Sequence, residues 1–250
     1  MASNPKQIYL ATRKRNDQLF NAYFMRPLAA VLIALIQNTA ATPNRLTLAS
    51  VSIFTISAGL FMGLPDGTGL VAAIVALELS YLCDCADGML ARHRKIASQQ
   101  GHLFDFFTDE VKAVMLVGAV GVRLWRVGGY GYDGLWQPAD PRFLLASVAG
   151  VFVVASAISL TNFVRRPEIS GRETPVEAHY ESVTEAKKSG LAWLAQQVMT
   201  MLRFLNHYPS HIWIFALAGR LDLFFWMYVL LNALYLARGW LGLVLRFGRS

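Results

Sequence analysis

"DCADGMLARHRKIASQQGHLFDFFTD", residues 84–109, holds four aspartates at fixed spacing between two apolar stretches long enough to lie in a membrane. Asp84 and Asp87 are three residues apart, and Asp105 and Asp109 four apart. On helices both spacings put the pair on one face. The short polar connection "RHRKIASQQG" (92–101) sets the two helices side by side and antiparallel, so the four carboxylates converge near their joined ends. Like charges repel, and charge in hydrocarbon costs free energy. Bound cations remove that penalty. Carboxylate oxygens suit hard cations, magnesium or manganese, and two metals bridged by carboxylates are an arrangement for displacement at phosphorus.

The rest of the chain reads as a membrane protein. Its 250 residues are 55% hydrophobic and only 16% charged, with a mean hydropathy of +0.39, against about 25% charged in soluble domains. The expected fold is all-α, an integral membrane bundle of six spans at about 46–64, 69–91, 102–124, 143–164, 207–219 and 222–243, each near the roughly 20 residues a crossing needs. The last two are short or interrupted. "RPLAAVLIALIQ" (26–37) is too short to cross and reads as an amphipathic helix lying along the membrane surface. The expected organisation is a cytoplasmic N-terminal segment over 1–45, a six-helix catalytic domain over 46–243 and a tail over 244–250. Residues 1–26 are polar and basic and do not read as a signal peptide. Cys83 and Cys85, two apart on a helix, point to different faces and are expected as free thiols.

Charge orients the bundle. Segments 1–45, 92–100, 165–205 and the tail from 238 hold 18 of the 23 Lys and Arg. The opposite loops hold Arg123, Arg126, Arg142 and Arg220, and Lys112 falls within a span. Positive charge collects on the cytoplasmic side, so both termini and the aspartate motif are expected there. The net charge of +7 fits anionic headgroups rather than nucleic acid. Trp125, Trp136, Trp213 and Trp240 read as interfacial belt residues. His93, His102, His179, His207 and His211 show no ligand spacing, and the small residues of "ASVAGVFVVASA" (146–157) read as helix packing.

Gly88, Ala91 and Gly101 leave room beside the acids, and Arg92 closes its helix end where it can hold a phosphate. Such a groove fits a diphosphate-bearing nucleotide. The full pattern, D-x2-D-G-x2-A-R-x8-G-x3-D-x3-D, resembles the signature of the CDP-alcohol phosphotransferase family, with Asp84, Asp87, Gly88, Ala91, Arg92, Gly101, Asp105 and Asp109 in its eight positions. "TPNRLT" (42–47), before the first span, is similar to the motif that opens the family's bundle.

The resemblance implies a membrane transferase of phospholipid synthesis. It moves a substituted phosphate from a CDP-linked donor, CDP-diacylglycerol, to an alcohol and releases CMP. It implies Asp84, Asp87, Asp105 and Asp109 as metal ligands for two ions, with Asp109 also the catalytic base. Asn44, Thr47, Gly88, Ala91, Arg92, Ser98 and Gly101 would shape the nucleotide site. Arg165, Arg166 and Lys112 are candidates for the acceptor, a small alcohol or polyol phosphate; Lys112, three residues after Asp109, also shares its face and can instead partner Asp109 or Glu110. The implied assembly is a homodimer in a bacterial-type inner membrane. Glu110 departs from the pattern, standing where many relatives carry a basic residue, which leaves the acceptor class open.

Other readings stand beside it. The same chemistry runs with a soluble CDP-alcohol donor and a lipid acceptor. An intramembrane prenyltransferase needs a second aspartate-rich motif, whereas residues 111–250 offer only Asp133, Asp140 and Asp222. An ion- or proton-coupled transporter calls for acids spread along several spans, whereas these cluster at one end of two.

Overall fold

A computed structural model describes residues 3–13, 17–129, 137–166, 169 and 190–248. Trp136, His179 and nearly all of the polar loop after Arg166 lie outside them. The described residues form helices and no strand, as an all-α membrane protein requires. Their contacts divide into two compact units.

The first unit takes the described residues within 1–57 and 74–112. It begins with α1 (Pro5–Thr12). The Asn4 side chain accepts from the Gln7 amide at 2.9 Å, and the Gln7 side chain accepts from the Asn4 amide at 3.1 Å, which satisfies two otherwise open donors. A π-helical turn (Asn21–Met25) leads into α2 (Arg26–Ile36), the helix expected over 26–37. A buried ion pair between Arg26 and Asp17 ties this turn down. One side of α2 buries Ala29, Ala30 and Ile33, while Leu28, Val31 and Leu35 on the other stay exposed.

The core of this unit is Ile8, Met25, Ala29, Ala30 and Ile33 packed against Cys85, Ala86, Met89 and Leu90. The last four lie on α4 (Gly67–His93) at positions i, i+1, i+4 and i+5, one side of a helix. The motif helix therefore has two jobs. Its apolar side holds the N-terminal segment, and its other side carries Asp84, Asp87, Gly88 and Ala91. Arg94 then donates to the carbonyls of Gln37, at 3.0 Å, of Thr39, at 3.1 Å, and of Ala41, fixing the link from α2 to α3 (Pro43–Gly63). Cys83 and Cys85 are free thiols.

The second unit takes the described residues within 58–73, 113–174 and 189–250. Asp66 caps α4, accepting from the Gly69 amide at 2.9 Å and the Thr68 hydroxyl at 2.5 Å. That hydroxyl bond holds the exposed Asp66 carboxyl below its ordinary range. The α3 end is closed by α5 (Gln99–Val127), whose buried Arg123 donates to the carbonyls of Leu64, Pro65 and Asp66 at 2.7, 3.0 and 2.9 Å. Against α6 (Pro141–Arg165), Gly118 faces Val151 and Gly121 faces Ser147, so α5 and α6 run antiparallel. Gly150 fits against Val117, Phe225 and Val229, and Gly239 against Leu160. Since 150 meets 225–229 and 160 meets 239, α6 and α9 (Leu221–Phe247) run parallel. Small residues let the helix backbones approach.

Among the described residues four helices are long and apolar enough to cross a membrane: α3, α4, α6 and α9. The helix expected over 102–124 is present as α5, 29 residues long, but its charges keep it out of that set. The expected span over 207–219 is not one helix. Beyond α7 (Leu191–Asn206) the chain makes a 3-10 turn at Tyr208–Ser210 and a six-residue helix, α8 (Ile212–Leu217). Pro209 lies in that turn, lacking the amide proton a continuing helix uses, and six residues rise only about 9 Å. His211 packs, buried, among Phe204, Phe215 and Phe224.

Candidate active site

The acid face of α4 meets the first turns of α5 within the first unit. Carboxylate oxygens of Asp84, Asp105 and Asp109 all lie within 4.8 Å of one another. Asp87 stands apart from this trio. It is 3% exposed, it accepts a hydrogen bond of 2.5 Å from the Thr47 hydroxyl of α3, and it feels the charges of Asp105 and Asp84. Asp109 is the open member, with half its side chain exposed.

Beside the acids lies a cleft of about 330 Å3. Asn44, Thr47, Gly88, Ala91, Arg92, Ser98 and Gly101 all line it, together with Asp87 and Asp105. The seven residues expected to shape a nucleotide site thus share one wall system, drawn from the start of α3, the end of α4 and the start of α5. Gly101 earns its place by closeness: a Cβ there would stand 3.1 Å from Ser98 Oγ and 3.7 Å from Asn44 Oδ1. Ser98 also has a structural task, since its hydroxyl accepts from the Gly101 amide at 3.1 Å and caps α5. Arg92 donates from Nε to the Thr12 carbonyl at 3.1 Å, so the end of α1 helps aim its guanidinium.

Lys112 does not line the cleft. Its side chain is 2% exposed and ion-paired to Asp84 and, at 2.7 Å, to Asp109. Arg165 and Arg166 are exposed at the C-terminal end of α6, in the second unit. Two parts of the site lie outside the sequence motifs. Ser50 hydrogen-bonds Ser80 at 3.2 Å and Lys112 at 3.3 Å, and the Thr12 carbonyl orients Arg92. Ser50 follows Thr47 by three residues and so shares its face, whereas a main-chain carbonyl leaves no mark in a sequence.

The donor set is all carboxylate oxygen, which fits a hard divalent cation and not a soft one. The geometry therefore accommodates a metal at Asp84, Asp105 and Asp109, with Asp87 in the adjoining wall.

The profile of the CDP-alcohol phosphatidyltransferase family matches residues 40–245. The chain belongs to that family, and it is a phosphotransferase of phospholipid synthesis embedded in a membrane. The family uses a divalent metal and a CDP-alcohol substrate. No curated protein matches the chain.

Proposed function

We propose that the protein transfers a phosphatidyl group from CDP-diacylglycerol to a small alcohol and releases CMP. The observation that carries this reading is the junction of the 330 Å3 cleft with the acid cluster, because Asp105 belongs to both. A diphosphate held over Asp105 has its nucleoside side along Asn44, Gly88, Ala91 and Gly101. Its reacting phosphorus then sits toward Asp109.

Asp84, Asp105 and Asp109 would hold a divalent ion, and Asp87 a second. Magnesium or manganese bound there supplies charge neutralisation for the diphosphate and for the departing phosphate. The chain's own groups do the rest. Arg92 holds a phosphate oxygen, and Thr47 fixes the Asp87 carboxylate. Asp109, reachable from outside, takes the proton of the acceptor hydroxyl. The acceptor oxygen forms a bond to the phosphatidyl phosphorus as the bond from that phosphorus to the CMP oxygen breaks, and CMP leaves with the electron pair. Arg165 and Arg166 are the candidate groups for a phosphorylated acceptor.

The reading includes six crossings with both termini and the site on the cytoplasmic side of a bacterial-type inner membrane. The parallel packing of α6 and α9 supports it, since the chain between them must recross the membrane an odd number of times. α7 and α8 hold 16 and six residues, together near the roughly 20 that a crossing needs. At about 44 Å, from 1.5 Å per residue, α5 is long enough for the remaining crossing. The domain bounds 1–45, 46–243 and 244–250 follow from that count. A homodimer is also part of the reading, checked by light scattering in detergent.

The test is CMP release from CDP-diacylglycerol by purified protein across serine, glycerol 3-phosphate, inositol and inositol phosphate, with wild type and Asp109→Asn. Release that needs one acceptor and falls at least about 100-fold in the variant supports the reading. Silence with every acceptor removes CDP-diacylglycerol as donor and directs the assay to soluble CDP-alcohols.

A further inference from the structure

Lys112 is a cation in a place that ordinarily excludes one. Three acceptors surround its ammonium: Asp84, Asp109 at 2.7 Å and the Ser50 hydroxyl at 3.3 Å. Ser50 and Ser80 are fully buried and bonded to each other, and the Ser80 hydroxyl also donates to the Ser50 carbonyl at 2.7 Å. The ammonium therefore rests on a closed polar platform joining α3 and α4, at the back of the acid cluster. Burying a charge is tolerated only where partners compensate it. Here the partners are two of the three carboxylates that share the 4.8 Å cluster.

We propose that Lys112 is a built-in counter-ion and positioning residue of the metal centre. It fixes the Asp84 and Asp109 carboxylates when the ion is absent. It also offsets one unit of the negative charge that attracts the ion, so that the ion is held less tightly than three bare carboxylates would hold it. Both consequences follow from the same contacts. Carboxylates this close repel, and a cation between two of them relieves the repulsion in the ion-free protein. The same cation repels an arriving divalent ion over a few ångströms of poorly screened space. The assignment rests on reading the aspartates as metal ligands, and it moves Lys112 from the acceptor site to the rear of the cluster.

The test is thermal unfolding of the full chain in detergent, in EDTA and across a magnesium or manganese titration, for wild type, Lys112→Met, Lys112→Gln and Lys112→Arg. The Gln variant keeps hydrogen-bond donors without charge and carries the test if the Met variant does not fold. The two neutral variants are expected to melt below wild type in EDTA. Their stabilisation by metal is expected to be larger and to half-saturate at a metal concentration at least roughly tenfold lower. The Arg variant, keeping the charge, is expected to stay nearer the wild-type midpoint. Variants that lose the same stability with and without metal, at an unchanged midpoint, overturn the proposal in favour of a purely structural lysine. An unchanged midpoint with a raised KM for the acceptor overturns it in favour of acceptor binding. A wild-type protein that ignores both metals overturns the metal-ligand reading itself, and this proposal falls with it.

Discussion

The Thr47 hydroxyl donates to the buried carboxylate of Asp87 across 2.5 Å, joining the motif that opens α3 to the aspartate motif of α4. Thr47 and Asp87 are 40 residues apart, yet both line the same cleft. A hydrogen bond to a charged group contributes about 1.5–3 kcal/mol. Thr47→Val keeps the shape and removes the donor. Its kcat/KM for the CDP-linked donor is expected to fall roughly 10- to 100-fold, while Thr47→Ser retains most of the activity. Steady-state kinetics on the two variants check this, and equal losses in both would show that packing rather than the hydroxyl matters.

Gly101 separates stability from function. Alanine is a better helix residue than glycine by roughly 0.8–1 kcal/mol, which offsets the about 1 kcal/mol at stake where the Ser98 cap must shift, so Gly101→Ala is expected to melt near wild type. Its new methyl stands 3.1 Å from Ser98 Oγ and 3.7 Å from Asn44 Oδ1, on the floor of the cleft. The KM for the donor is therefore expected to rise several-fold, and more in Gly101→Val. A melting curve and a donor titration on each variant read the two effects separately. Unaltered donor binding in Gly101→Val would place the nucleotide elsewhere.

The parallel course of α6 and α9 predicts sidedness. Single cysteines at Arg166 and Gly248, in a chain lacking Cys83 and Cys85, are expected to react with a membrane-impermeant maleimide from the same side of sealed vesicles. A cysteine at Gln137, before α6, is expected to react from the other. Labelling of positions 166 and 248 from opposite sides would contradict the six-crossing reading.

Where the sequence was decisive, the reason was local. The spacing of Asp84, Asp87, Asp105 and Asp109 is a statement about helix faces, and helices form there. The expected spans at 46–64, 69–91, 143–164 and 222–243 match α3, α4, α6 and α9 to within about four residues, because each is a long apolar run closed by polar or small residues. The 207–219 stretch misled because hydropathy counts Ile212, Trp213, Ile214 and Phe215 and takes no account of Pro209. Partnerships across the fold were the hardest to read. That Lys112 reaches Asp84 and Ser50 on two neighbouring helices leaves no mark in the sequence, because neither Ser50 nor its partner Ser80 carries a motif. The capped α1 is hidden in the sequence because eight residues bearing Lys6 and Gln7 look like a polar leader, whereas in the fold Ile8 is buried.

The most direct test of the account is the metal dependence of CMP release from CDP-diacylglycerol, in wild type and in Asp105→Asn, with the preferred acceptor present. Asp105 is the residue shared by cleft and acid cluster. Release is expected to be absent in EDTA, to return with magnesium or manganese, and to fall at least about 100-fold in Asp105→Asn at saturating metal. Release that persists in EDTA, or that survives undiminished in Asp105→Asn, would contradict the claim that this acid cluster and this cleft are one catalytic site.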